Sequence, residues 1–205
     1  MATLTNFGVP VDGNTSTLLM PKLQYRFRVT LVNFGETDAT TTLSGQVVSV
    51  TRPNLTHEEV TLDVYNSKVY IAGKHTWDPI TLTIRDDITN SVSKSVADQL
   101  NKQLNHADQD ASRAAENYKF GAIIEVLDGS NEGTALDAWT LNGCFIQNVQ
   151  YGELNYATSD AVQITLQIRF DNADHHDTGT TDPADTGLLS NDGNRGSADT
   201  ATIAA

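Results

Sequence analysis

The chain has 205 residues, enough for one core with extensions at its ends. Its 26 acidic residues against 13 Lys and Arg give a formal net charge of -13, which excludes a surface built to grip nucleic-acid phosphates. Its single cysteine, Cys144, excludes an internal disulfide, and no apolar run approaches the roughly 18 residues of a membrane-spanning helix.

Residues 1–19 are rich in Thr, Asn and Gly and read as an extended arm without a secretory leader, so folding in a reducing cytosol is expected. From Leu23, the apolar residues Leu23, Tyr25, Phe27, Val29 and Leu31 alternate with Gln24, Arg26, Arg28 and Thr30, the period of a strand with one buried face. Phe34 to Ser44 reads as a wide loop and Gln46–Thr51 as a second strand, which Pro53 ends. Asn54 to Glu59 is polar and is expected to protrude. Val60, Leu62 and Val64 alternate with Thr61 and Asp63 and are predicted to form the returning limb of a hairpin. After a break at Asn66-Ser67, Val69–Ala72 resumes as a short strand, and Gly73 suits a turn or a bulge. Trp77 to Ile84 is predicted as one strand, with Pro79 marking an edge or bulge near its start.

A helix is predicted over 91–108. Its stripe is Val92, Val96, Leu100 and Leu104, extended by Ala97 and Ala107, with Lys94, Asp98, Lys102 and Asn105 on the wet face. Asn90 or Ser91 is expected to cap it, and Asp86-Asp87 to complement its dipole. A second short helix fits Asp110–Asn117. Tyr118–Leu127, Trp139–Val149 and Val162–Ile168 read as strands. Asn142-Gly143 marks a tight turn or bulge within the second of these. From Asp171 the composition shifts to seven aspartates and one arginine, with no aromatic residue after Phe170, so this segment is expected to lack a core of its own.

No residue set reads as catalytic, cofactor-binding or metal-binding. Cys144 lies in an apolar run with no base nearby and suits a buried small hydrophobe. His175-His176 beside Asp174 and Asp177 lacks the spacing of a ligand set, and the aspartate series departs from the calcium-loop pattern. His57-Glu58-Glu59 lies on the protrusion with no zinc-motif partner. Trp77 and Trp139 suit core or edge packing, or else a glycan-stacking pair.

Four segments carry a family resemblance. They are Met20-Pro21-Lys22-Leu23-Gln24-Tyr25-Arg26-Phe27, Ile71-Ala72-Gly73-Lys74-His75-Thr76-Trp77, Leu82-Thr83-Ile84-Arg85-Asp86-Asp87 and Val149-Gln150-Tyr151-Gly152-Glu153-Leu154 with the closing strand. In this order they resemble the tail tube proteins of contractile-tailed bacteriophages, the myovirus-type inner tube.

The resemblance implies a mainly β fold: a β-sandwich or small barrel of two packed sheets with one flanking helix and a long hairpin arm. The resemblance covers roughly 20–172, the expected tail-tube domain; the extended arm over 1–19 and the acidic C-terminal extension over 173–205 depart from the family pattern and read as additions to it. It further implies a non-enzymatic subunit of the virion tail, made in the host cytoplasm, whose hexameric rings stack into a tube inside a contractile sheath. Its partners would be other copies of itself, the sheath protein, and baseplate and tail terminator proteins. DNA would pass the lumen without specific binding, and no membrane or cofactor would be involved. Contact with the next ring would fall to the arm Pro53–Lys68, through Pro53, Leu55, His57, Glu58, Val60, Leu62 and Val64. The alternatives are a tube of type VI secretion or of a phage-like injection particle, or a soluble glycan-binding sandwich.

Overall fold

The computed structural model describes residues 21–35, 40–42, 45–130 and 133–176. The arm expected over 1–19 lies outside them, as does most of the acidic extension. The strands in chain order are β1 (Phe27–Val32), β2 (Thr40–Thr42), β3 (Val47–Val50), β4 (Leu55–Val64), β5 (Ser67–Trp77) and β6 (Ile80–Arg85). Helix α1 (Ser91–Gln103) follows, then β7 (Leu104–Asn105), β8 (Asp110–Ala111), a 3-10 turn at Ala115–Asn117, β9 (Phe120–Leu127), β10 (Ala135–Gln150), β11 (Gln163–Arg169) and β12 (Asn172–His176).

The main sheet runs β2-β1-β9-β10-β11-β6-β3, with β12 also on β10. The 16-residue β10 belongs to both layers of the sandwich. Its Ala135–Cys144 stretch pairs with β9, and Ala138–Asn142 pairs with β12, while Phe145–Gln150 pairs with β11. The crossing is made at Asn142-Gly143. Leu141 opposes Ala122 and Cys144 opposes Phe120, so three residues of β10 span two of β9. This bulge needs glycine twice over. Gly143 has φ of 67°, and a Cβ there would collide with the Asp171 carboxylate. Asp171 donates its N–H to Asn142 O at 3.0 Å and so turns the chain from β11 into β12.

Between the layers, Leu31, Ile84, Leu141, Leu166 and Ile168 are fully buried, and Phe34 meets Phe120 edge to face at 5.0 Å. Cys144 is part of this core, where burial pushes its thiol pKa up. Across β1 and β9, Arg28 and the buried Glu125 are register partners in a two-pronged ion pair at 2.6 and 3.1 Å.

Helix α1 lies against this core through Val92 and Val96, but its buried face departs from the predicted stripe. Ala97 and Ala107 are exposed, and Gln99 is fully buried. The Gln99 amide receives Gly35 N–H at 3.2 Å and donates to Tyr118 O at 2.5 Å, so both its polar ends are matched inside. One turn on, Gln103 takes Ile146 N–H at 3.1 Å and returns a bond to Ile146 O at 3.0 Å, acting as a one-residue strand partner for β10.

The helix ends at Gln103, short of the predicted 108. Leu104 turns extended and pairs with Ala111, and the Asn105 side chain takes the Ala107 N–H at 3.0 Å, a local bond that competes with helix. The second short helix is reduced to the 3-10 turn. The predicted caps are also corrected. Asn90 is the N-cap residue but makes no side-chain cap bond. Asp87 does the work, accepting Thr89 Oγ1 (2.6 Å), Ser91 Oγ (2.7 Å) and the N–H groups of Thr89 and Ser91. These bonds, the Thr89 hydroxyl first, pull its carboxyl pKa down to about 2.

The hairpin also differs in layout. Val60–Val64 is the far end of the outgoing limb, and Tyr65-Asn66 forms the apex. The returning limb is one unbroken strand to Trp77, and Asp78-Pro79 separates it from β6. Gly73 is a bulge rather than a turn. His57 opposes His75 and Glu59 opposes Ala72, and a Cβ on Gly73 would sit 3.0 Å from Glu58 O. At the N-terminal side, Leu23 O accepts Arg26 N–H at 3.2 Å, a turn that delays the first strand from Leu23 to Phe27.

Candidate assembly surfaces

Among the described residues the β4-β5 hairpin pairs only with itself, and every residue of β4 is exposed. Cross-strand partners share a face, so Val60 with Ile71 and Leu62 with Val69 form one apolar side, joined by Val64. These five side chains are each about half exposed. The other side carries Thr61 with Tyr70 and Asp63 with Lys68. A two-stranded ribbon in water is marginal by itself. Covering five half-exposed apolar side chains would contribute on the order of 5 kcal/mol.

Of the residues expected to make the contact, Val60, Leu62 and Val64 stand together on the apolar side, with Glu58 nearer the body. Leu55 and His57 are on the opposite side, opposing Trp77 and His75, and Pro53 is buried at the foot. Sequence reasoning missed Val69 and Ile71 as members of the face and Tyr65 as its fully exposed apex. Their signal was present, since Val69 and Ile71 alternate with Lys68, Tyr70 and Ala72.

A string of rings ties the arm to the body. His57 and His75 lie 6.0 Å apart, and His75 meets Trp77 edge to face at 6.2 Å. Trp77 then meets Trp139 at 6.4 Å, and Trp139 stacks on His175 at 4.4 Å. Trp77 also contacts Phe170 at 5.7 Å. Both tryptophans are packed partly buried against the core, with their indole nitrogens enclosed, so they present no open platform for a sugar ring. At the end of the string, His175 bonds the buried Asp137, which also takes Lys22 Nζ at 3.3 Å. Burial alone would push the Asp137 carboxyl up. The bonds from His175 and Lys22 outweigh it and hold the pKa below the usual range.

The opposite end of the body carries a second exposed feature. β3 runs into the arm and β6 leaves it at Ile80; at its far end Arg85 pairs with Gln163, where the β10-β11 loop of residues 151–162 returns. The six residues of β6 separate arm from loop by about 20 Å. Tyr151, Leu154, Tyr156 and Val162 are exposed on this loop, beside a groove of about 840 Å³ that Val48 and Arg85 also line. Arg85 and Glu58 each lack an ion pair among the described residues. No three His, Cys, Asp or Glu side chains among those residues are grouped to hold a metal, and none of the described helices is long and apolar enough to cross a membrane.

The sequence matches no family model and no curated protein. Solved structures do match the fold. A chain of the anti-feeding prophage baseplate, in a six-fold symmetrised cryo-EM structure, aligns with TM-score 0.61 and 13% identity over 80% of this chain and 100% of that one. A chain of the sheath-tube complex of an extracellular contractile injection system, PVC, in its extended state gives 0.60 and 16%, over 80% and 99%. A chain of the anti-feeding prophage tube-terminating cap gives 0.59 and 12%, over 82% and 99%. At such identities the likeness is one of fold. The two-layer sheet with its single helix is therefore a fold shared with chains of phage-like contractile particles.

Proposed function

We propose that the chain is a structural subunit of a hollow tube, built from stacked six-membered rings inside a contractile sheath. The observation that carries this reading is the exposed, amphipathic β4-β5 arm on a fold shared with chains of sheath-tube and cap assemblies. Arm and β10-β11 loop project from opposite ends of the body. Head-to-tail association of unlike surfaces does not close on a pair but continues into a filament. Pro53, Leu55 and His57 set the foot of the arm, while Glu58, Val60, Leu62 and Val64 meet the next ring.

One face of the two-stranded ribbon, ten residues long, projects about 340 Å² (roughly 34 Å by 10 Å), below the ~800 Å² that each partner of a standard interface buries. A single arm contact is therefore weak, and closing a ring makes six of them act together. Sheath, baseplate and terminator proteins are the further partners, and the subunit's role is structural rather than enzymatic. The acidic balance suits a lumen that DNA passes without adhering, with Lys94 and Lys102 of α1 facing outward. The fold likeness to extracellular injection systems supports one second reading, a particle tube that delivers another cargo. Electron microscopy of the concentrated chain, and of the particle it comes from, tests the proposal. Tubes with a regular axial repeat are expected, and a monodisperse monomer in an intact particle would refute it.

A further inference from the structure

The side of the arm opposite its apolar face carries a histidine pair. His57 on β4 and His75 on β5 are register partners. Asp78 N–H donates to Asn54 O at 3.0 Å, which makes Asn54 and Asp78 a hydrogen-bonded pair of the ladder. Counting outward along the arm, Leu55 with Trp77 and His57 with His75 are then non-hydrogen-bonded pairs, the positions where facing side chains stand closest. The two imidazole centres are 6.0 Å apart, with their planes at 60°. Both residues are exposed, and neither makes a hydrogen bond or an ion pair among the described residues. The partner that His57 lacks along the sequence is supplied across the ribbon.

Two imidazoles that share one ion through bonds of about 2.1 Å have ring centres roughly 5–6 Å apart. The separation of 6.0 Å lies at the top of that range, so a small rotation of either exposed side chain completes a chelate. Imidazole nitrogen suits zinc, copper and nickel, whereas magnesium and calcium take oxygen. Glu59, two residues along β4, shares the face of His57, and its carboxylate takes the Thr61 hydroxyl at 3.1 Å. Its negative charge beside the pair attracts a divalent ion. The other three histidines lack this arrangement. His175 and His176 are register partners of Trp139 and Ala138, and His106 lies between β7 and β8.

We propose that His57 and His75 form a two-point site for a divalent transition-metal ion of the zinc, copper or nickel class, with water completing its shell. The ion clips the outgoing limb of the arm to the returning limb, between the foot at Trp77 and the bulge at Gly73. A two-stranded ribbon is marginal in water by itself, and a clip at its base holds both limbs in register. The site lies within one chain and does not depend on the tube reading.

The test is isothermal titration of the full chain, stripped with EDTA and desalted, with Zn2+. One ion per chain is expected at the tightest step. His57→Gln and His75→Gln should each weaken it about tenfold or more, since a chelate loses the gain of its second arm. His176→Gln should leave it unchanged, and the Cys144 thiol is buried and does not compete. Because both histidines are exposed, the two variants should melt like the natural chain when metal is absent. Cu2+ supplies a local readout. Trp77 meets His75 at 6.2 Å, so Cu2+ should quench indole emission in the natural chain and in His176→Gln but not in either arm variant. Hydrogen exchange should show Zn2+ protecting Leu55–Val64 and Ser67–Trp77, an effect that either arm variant removes. Binding that survives both arm variants, that falls equally in His176→Gln, or that appears only as chains associate would overturn the proposal.

Discussion

Leu166 and Leu62 are both leucines on alternating strands, yet one is 0% exposed and the other 45%. Leu166 sits on β11 between β10 and β6, in the core between the two layers. Leu62 stands on a ribbon whose apolar side is covered by nothing among the described residues. The same sequence pattern therefore marks a shared face without saying what lies against it. In the body the cover is intramolecular and its removal costs stability. On the arm the cover has to come from elsewhere, so its removal should cost association.

Four experiments break or sharpen this contrast. Leu166→Ala should give the largest loss of stability, about 2–5 kcal/mol, read from denaturant melts. A loss under 1 kcal/mol would mean the two layers are not tightly packed around it. Gly143→Ala comes next, at about 2 kcal/mol, because left-handed backbone strain adds to the collision with Asp171. Replacing Val60, Leu62 and Val64 together by Thr should move the melt of the lone subunit by less than about 1 kcal/mol while abolishing tubes. If tubes persist, the arm is not the ring-to-ring contact. Charge reversal sharpens that result. Glu58→Arg and Arg85→Glu should each weaken assembly, and the double variant should restore it if arm and loop meet.

The smallest effect is expected from acid. Asp87 has a folded pKa of about 2 against an ordinary 3.8, so its contribution is complete above about pH 4 and is lost as pH falls through 2. In Asp87→Asn that part of the acid sensitivity should vanish, with far-UV circular dichroism at pH 2–5 as the measure. An unchanged acid profile would show that Asp87 does not secure the helix start.

Strands β6 and β11 were legible because each buries one face, which leaves a period of two in Ile80-Thr81-Leu82 and Ile164-Thr165-Leu166, whereas β9 is buried over six consecutive residues and alternates less cleanly. The bulge at Asn142-Gly143 was legible as one of two options. The helix face was not, because Gln99 and Gln103 look like solvent-facing residues until Gly35, Tyr118 and Ile146 are brought beside them. Those bonds join residues 19 to 64 positions apart, and no local pattern encodes them. The far end of the arm was legible, but its direction was not. Asn54 to Glu59 looks like a loop because its residues face water on a strand whose pairing, with β5, is complete only in the fold.

The ring string from the arm to β12 also has an optical use. Trp77 and Trp139 are the two indoles of the chain, and both sit at this junction. Intrinsic emission therefore reports on the foot of the arm and the seat of the last strand, not on the sandwich interior as a whole. Water reaching either indole would shift the emission to the red. The proposed assembly through the arm can then be followed in solution without an added dye, and Trp77→Phe or Trp139→Phe would tell whether the change begins at the arm or at β12.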